Sequence, residues 1–472
     1  MRQGMRVNAQ DNKGNTALHL LLECGSEIEK TIELLLRRGA DPTLANAEGE
    51  VPLLKIFWRG EASLMKILLK AIDGHCRRRR RQTYPVNFQD RRGHTALHYV
   101  LERHKNNAWF AWLLSKGADP NLVNDQGISP VDLVCSSWRY GADDKMFRSL
   151  VKHCNDTRQA LHVNARDKSG RILLNWALEN RDKMKVEWLL RTGVDPNLAD
   201  EQGSTALHVI SQQRNDYGFA ELLFKICDEN NRTVQVDAKD KSDRTPIEYA
   251  VANFYPNIVA ALLDRGASLV WPTRSHFDEL YRQRDPPFEY KFTRLIGALA
   301  VMECLENRNY EFERSKALRI MKYFDEFKMF ADLENDLYDV GTFPSSSAKS
   351  MMIKPSLSLH DLIQLSPEEA WTRLTYQDCY DYWSSINVCA FSLRSRVISA
   401  RVICEKMSRR FFFRPWAVIS YLELIRYRLP EECCEMIIDP LTNQDLLDIC
   451  LAARDNNVDS EEQRIQVSVP ET

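Results

Sequence analysis

Apolar and polar positions over the first 270 residues follow a short cycle rather than one long period. Each cycle opens with a polar turn and runs into an apolar segment at helical spacing. A second apolar helix follows, such as Ile32 to Leu36, and another turn closes it. The row Asp11-Asn12-Lys13-Gly14-Asn15-Thr16-Ala17-Leu18-His19 states the opening, and it returns from Asp90 to His98 and from Asp200 to His208. Weaker copies begin near Glu48, Asp125, Asp167 and Asp240. The closing row Gly39-Ala40-Asp41-Pro42 returns at Gly117 to Pro120 and at Gly193 to Pro196, and fades at Gly266. Local chemistry agrees: Thr16 suits a helix N-cap, Gly39 a left-handed helix end, and Asp41-Pro42 a turn. Leu34, Leu35 and Leu36 are expected to supply an apolar side that only a neighbouring cycle can cover.

The turn glycines stand at Gly14, Gly49, Gly93, Gly127, Gly170 and Gly203, with Asp243 in the last copy, so the steps are 35, 44, 34, 43, 33 and 40 residues. Short and long cycles alternate, which predicts a duplicated pair as the unit. The even members are expected to carry their extra residues as loops after the second helix, beginning at His75, His153 and Cys227. The first cycle begins almost at Met1. Either Val7 to Asp11 is a minimal polar cap or further cycles precede it.

These rows resemble the ankyrin repeat, in which Thr-x-Leu-His opens the first helix and Gly-Ala-Asp-Pro closes the second. The resemblance implies an all-α ankyrin-repeat solenoid of about seven repeats over residues 1–270, and a function in binding protein.

The chain changes character after Leu269. Residues 271–340 read as a helical capping and connecting region, with Phe292, Leu295, Ile296, Leu299 and Met302 on one side. Residues 341–356 read as a linker, 357–453 as a second helical domain, and 454–472 as a disordered tail. Near its end stand Leu429, Pro430, Glu432, Cys433, Cys434, Ile437, Ile438, Leu441, Asp445, Leu446 and Leu447. Pro430 suits a first helical turn. Thr442 or Asn443 can cap the next helix, with Asp445 in its first turn. Leu429, Ile437, Leu441 and Leu446 then form an apolar patch that the domain itself or a partner must cover.

That register resembles the start of an F-box, with cysteines at 433 and 434 where the family has larger aliphatics. Ankyrin repeats followed by a truncated F-box-like end resemble the PRANC architecture of poxviral and insect ankyrin proteins. The segments Ser358 to Ile363 and Cys404 to Arg410 add to that likeness. The resemblance implies a substrate adaptor that docks the small adaptor subunit of a cullin–RING ubiquitin ligase. The docking residues would be Leu429, Pro430, Glu432, Ile437, Ile438, Leu441, Asp445, Leu446 and Leu447, and an unnamed target would sit on the repeats. The alternative is an ankyrin inhibitor or scaffold that sequesters a partner such as a transcription factor, its C-terminal helices only completing the fold.

Composition changes little in this picture. The hydrophobic and charged shares, 44% and 28%, and the net charge of −2 suit a globular chain with no global pull toward nucleic acid. The N-terminus has no apolar signal core, no apolar run reaches membrane length, and the twelve cysteines are scattered. The expectation is a reduced compartment, cytosol or nucleus, with no membrane contact. Arg77, Arg78, Arg79, Arg80 and Arg81 are the one dense charge cluster. They read either as a solvated insertion loop, which the balance favours, or as a nuclear-localisation or anion patch. His19, His98 and His208 share one repeat position, so hydrogen-bonding of the turn is their expected role. The pairs His75-Cys76 and His153-Cys154 lie two repeats apart, roughly twice the 8–10 Å between packed helices. They cannot share one zinc ion, whose bonds are about 2.0–2.3 Å. No phosphate loop, nucleophile elbow or carboxylate pair stands out. The expectation is therefore no enzyme, no metal and no cofactor.

Overall fold

The computed structural model describes residues 6–23, 28–59, 64, 66–67, 86–104, 107–136, 145–164, 166, 170–213, 217–272, 288–326, 345–385, 391–409 and 414–455. The arginine run 77–81, the His75-Cys76 pair and the tail beyond 455 lie outside them. The chain forms two compact units, Met1–Gln213 with Tyr217–Asp243, and Arg214–Asp216 with Arg244–Thr472.

In the first unit the described helices, α3 apart, pair as the repeat predicts. They are α1 (Ala17–Glu23), α2 (Glu29–Arg37), α3 (Pro52–Arg59), α4 (Ala96–Tyr99, continued by a π-helical turn Val100–His104) and α5 (Asn107–Ser115). Then come α6 (Pro130–Ser136), α7 (Lys145–Thr157), α8 (Leu173–Glu179), α9 (Lys183–Thr192), α10 (Ala206–Gln212) and α11 (Phe219–Glu229). The turn chemistry explains the spacing. Asp11 Oδ1 accepts from the backbone N–H of Lys13 and of Asn15, both at 2.8 Å, and Asp90 and Asp200 repeat that pattern. Gly14 holds φ +75°, and a Cβ there would lie 2.6 Å from the backbone nitrogen of Ala47 in the next finger. In the last copy Asp243 adopts φ +62° where the other copies have glycine.

Two expectations change here. Leu34 is 51% exposed, while Ile32 and Leu36 are buried. At about 100° per residue, positions 32 and 36 share a face and position 34 points away from it. The extra residues of the fourth and sixth repeats do not begin as loop at His153 and Cys227, which lie inside the second helices. The helix α7 has 13 residues against 9 in α5, and α11 has 11 against 10 in α9, so helix takes up a few of the extra residues. Arg158 and Asn231, at φ +53° and +51°, follow them in the left-handed conformation.

The second unit begins with α12 (Pro246–Ala252) and α13 (Pro256–Asp264), the helices of the last repeat. It continues with α14 (Phe288–Glu306), α15 (Arg314–Glu326), α16 (Ser345–Ser350), α17 (Leu359–Gln364), α18 (Pro367–Arg373), α19 (Tyr376–Ser384) and α20 (Leu393–Ser408). It ends with α21 (Arg414–Leu424), α22 (Glu431–Ile438) and α23 (Asn443–Asp455). The segment read as a linker therefore contains a helix and the first strand of a small antiparallel hairpin. The hairpin joins β1 (Met352–Lys354) to β2 (Leu357–Ser358), with Met352 opposite Ser358. It departs from an all-α fold because Pro355 cannot continue a helical or strand ladder.

Successive helices start at capping boxes, Ser358/Asp361, Ser366/Glu369 and Thr375/Asp378, each carboxylate accepting from the N-cap backbone. The predicted face of α14 (Phe292, Leu295, Ile296, Leu299 and Met302) is buried. That helix packs on α13, and Arg294 donates to Asn253 Oδ1 at 3.1 Å. Trp383 of α19 meets Phe292 edge-on at 4.4 Å. Ile438, Leu446 and Leu447 belong to the same continuous core.

Candidate protein-binding surfaces

The repeat histidines belong to the frame that carries the surface. The Thr16 backbone N–H donates to His19 Nδ1 at 3.0 Å, and His19 Nε2 lies 3.0 Å from the carbonyl of Glu50. An accepting Nδ1 fixes the other tautomer, so Nε2–H donates across to the next repeat. Thr95, His98 and the carbonyl of Ile128 repeat this at 3.0 and 3.0 Å. In the fifth repeat Asn175 takes the place of histidine and donates to the carbonyl of Ser204 at 3.0 Å. Each of these three bridges joins an odd repeat to the even repeat after it. Burial, foremost, and then the neighbouring His94 hold the His98 pKa down at about 4, against the pull of the Ile128 carbonyl. It is a neutral strut rather than a catalytic base.

With the frame so built, several large apolar residues of the first unit face solvent. Phe88 and Val123 are exposed on the fingers, and Trp58 and Met184 on the helices. Sequence reasoning did not single these out. Their signal is a large apolar residue at a position where the rotation of its own helix or turn points outward.

At the C-terminal end, Pro430 is the N-cap of α22 and the Thr442/Asp445 pair starts α23. Thr442 donates to the Asp445 carboxylate from backbone and hydroxyl, at 2.8 and 2.7 Å, and these bonds hold its pKa below the usual carboxylate range. The Arg409 guanidinium binds the carbonyls of Asp439 and Leu441, clamping the turn between the helices. The nine predicted docking residues divide in two. Ile438, Leu446 and Leu447 are core, and Leu441 is half-buried against that core. Leu429 and Ile437 are 41% and 39% exposed, and Pro430, Glu432 and Asp445 face solvent. Two residues outside the predicted set join the exposed group: Cys433, and Met436 at 75% exposure. Cys433, Met436 and Ile437 follow helical spacing on the exposed side of α22, and Leu429 precedes its N-cap Pro430.

Among the described residues no helix is long and apolar enough to cross a membrane, and no group of three or more candidate ligands could hold a metal ion.

Comparison with known proteins matches the same segments. A family model described as "Ankyrin repeats (3 copies)" matches residues 174–270, and a single "Ankyrin repeat" matches 13–47 and 92–125. The chain is 29% identical over 192 residues to human transient receptor potential cation channel subfamily A member 1, covering 40% of this chain and 16% of that protein. It is 24% identical over 303 residues to the E3 ubiquitin-protein ligase KEG of Arabidopsis thaliana, covering 55% and 17%. The chain thus spans about a sixth of the length of each of these relatives. Among solved structures, the ankyrin repeat domain of Bcl-3 aligns with 50% of this chain and 99% of its own at 17% identity and a TM-score of 0.37. The matched segments fall where the turn geometry repeats: the chain carries ankyrin repeats, a scaffold for binding other proteins.

Proposed function

We propose that this protein is a substrate adaptor, holding a target on its ankyrin repeats and docking the small adaptor subunit of a cullin–RING ubiquitin ligase through its C-terminal helices. The observation that carries the reading is the group Leu429, Cys433, Met436 and Ile437. These residues are exposed and apolar; Cys433, Met436 and Ile437 lie on the first helix of the F-box-like pair and Leu429 just before its N-cap, beside Pro430 and Glu432. Such a row on a short helix is a ready anchor for a partner's groove. The adaptor does no covalent chemistry. It raises the effective concentration of target at the ligase, in the cytosol or nucleus.

The test is co-purification of the full chain with that adaptor subunit. The double variant Leu429→Ala/Met436→Ala is expected to weaken recovery at least about tenfold, since each buried anchor is worth about 1 kcal/mol or more. Capture of the target and the thermal midpoint stay unchanged. Undiminished recovery would sink the reading. Leu446 is unsuitable as a probe, because its full burial makes any loss a folding effect.

One observation favours the second reading, a sequestering scaffold without ligase recruitment. Ile438, Leu446 and Leu447 are fully buried, so this helix pair completes the core of its own unit. On that reading the double variant retains every partner.

A further inference from the structure

The third finger carries a titratable group where the first carries an amide. In the first repeat pair, Asn46 Nδ2 donates to Asn15 Oδ1 at 3.0 Å and ties one finger to the next. In the second pair the acceptor is His94, whose Nε2 lies 3.3 Å from Asn124 Nδ2. Asn124 cannot turn its amide around, because its Oδ1 already accepts from the backbone N–H of Gln126 and of Ile128, at 2.9 and 3.0 Å. Asn46 is fixed in the same way by Glu48 and Glu50. The neutral His94 ring therefore accepts on Nε2 and carries its proton on Nδ1. That Nδ1 is buried and makes no hydrogen bond; Asp90 Oδ1 stands 3.8 Å away.

The surroundings also suit the charged ring. Glu102 Oε1 lies 3.6 Å from Nε2. It belongs to the π-helical turn Val100–His104, a wider turn that recurs at functional sites. The Asp90 carboxylate is fixed by the backbone N–H of Arg92 and of His94 and by the Tyr99 hydroxyl, all donating to it. Among the described residues, Asp90 and Glu102 are the acids within 4 Å of the ring. Other charges on the packed elements are engaged elsewhere. Arg91 meets Glu48, Lys55 of α3 meets Glu23, and Arg59 donates to the carbonyl of Leu22. Asp132 of α6 accepts from Ser129, while Arg92 and Asp125 are exposed. His98 meets the ring edge-on at 5.4 Å and stays neutral down to a pH of about 4.

The two protonation states make different bonds. The neutral ring accepts from Asn124 and joins the fingers. A proton on Nε2 sets donor against donor, so that bond is lost. A shift of about 1 Å brings the charged ring to charge-assisted bonds with Glu102 and Asp90, both of its own repeat. Asn124, only 5% exposed, is left with an unpaired buried N–H.

We propose that His94 is a pH-sensitive latch between the third and fourth fingers, closed when neutral and released when protonated. Imidazole changes charge between roughly pH 5 and 8, so acidification loosens the first unit at this joint. The Asn15–Asn46 joint has no titratable acceptor and stays closed.

The test is hydrogen–deuterium exchange of the full chain, in steps from about pH 7.5 to about pH 5.5. Each rate is divided by its intrinsic value, and the first finger pair serves as internal reference. In wild type, amide protection over residues 124–128 should fall about tenfold relative to residues 46–50. His98 stays neutral over this range and cannot supply the change. His94→Asn, which copies Asn15, should abolish the fall. Glu102→Gln removes a partner of the charged ring and should move the transition to lower pH. A wild-type ratio indifferent to pH, an equal fall in both finger pairs, or a fall that persists in His94→Asn overturns the proposal. If His94→Asn does not fold, the exposed Glu102→Gln decides: a transition left in place overturns the latch.

Discussion

His98 offers a quantitative handle on the repeats. It is fully buried, accepts the Thr95 backbone N–H on Nδ1 and lies 3.0 Å from the Ile128 carbonyl on Nε2. Its folded-state pKa of about 4 lies below the usual 6.5. The unfolded chain therefore takes up a proton below about 6.5, and the folded chain only near 4. The neutral strut's contribution is complete above 6.5 and is lost as the pH falls through that window. At about 1.4 kcal/mol per pH unit, the wild-type chain should lose about 2.5 kcal/mol by a pH of about 4.5. The perturbation is His98→Asn, for which the fifth repeat supplies the precedent. There Asn175 keeps the donor bond to Ser204, while its Oδ1 is buried without a partner among the described residues. The variant should keep the bridge and leave the Thr95 N–H unpaired, costing about 1–2 kcal/mol at neutral pH. It should lose the acid slope as well. Urea denaturation followed by circular dichroism, at steps from neutral pH to about 4.5, should then give stability curves that cross between roughly pH 5 and 6. A constant gap between the two curves would refute the assignment of the slope to His98.

Two further predictions concern the turns. Gly14→Ala and Gly49→Ala both place a side chain at positive φ, +75° and +77°, but only Gly14 faces the next finger's backbone, with nothing within 4 Å of Gly49. The Gly49 variant should cost about 1 kcal/mol and the Gly14 variant distinctly more, read as urea midpoints; equal losses would remove the close-approach argument. Asp243→Gly should raise stability by about 0.5 kcal/mol, because glycine carries no penalty at φ +62° and the exposed Lys239 pair lost is worth little. Asp243→Val should lower it by about 1–2 kcal/mol in the same assay.

The repeats were legible because their signals are local. Asp11, Gly14, Thr16, His19 and Gly39 each meet a requirement of the residues beside them. The capping of α23 by Thr442 and Asp445 was readable for the same reason. What the rows of letters hid depends on partners distant in the chain. Leu34 reads as apolar packing until the rotation of α2 is known. In α22 and α23 both sides of each helix are apolar, so the pattern alone could not separate Ile438, Leu446 and Leu447, which are core, from Met436, which is not. Arg158 and Asn231 show a subtler limit. Extra residues after a helix can lengthen it in part before they loop out, and the left-handed residue marks where the helix stops.

The bridges from His19 to Glu50, His98 to Ile128 and Asn175 to Ser204 have a mechanical meaning. The corresponding positions of the second and fourth repeats are Leu54, which has no polar atom, and Asp132, whose carboxylate accepts but cannot donate to a carbonyl. The junctions after the second and fourth repeats lack this buried bridge and rest instead on exposed bonds, from Arg91 to the Glu48 carbonyl and from Asn121 to the Ala160 carbonyl. Pulled from its ends, or partly denatured, the first unit is expected to open first at those junctions. A bound target spanning one of those junctions would then act as a splint across the weakest seams of the protein that holds it.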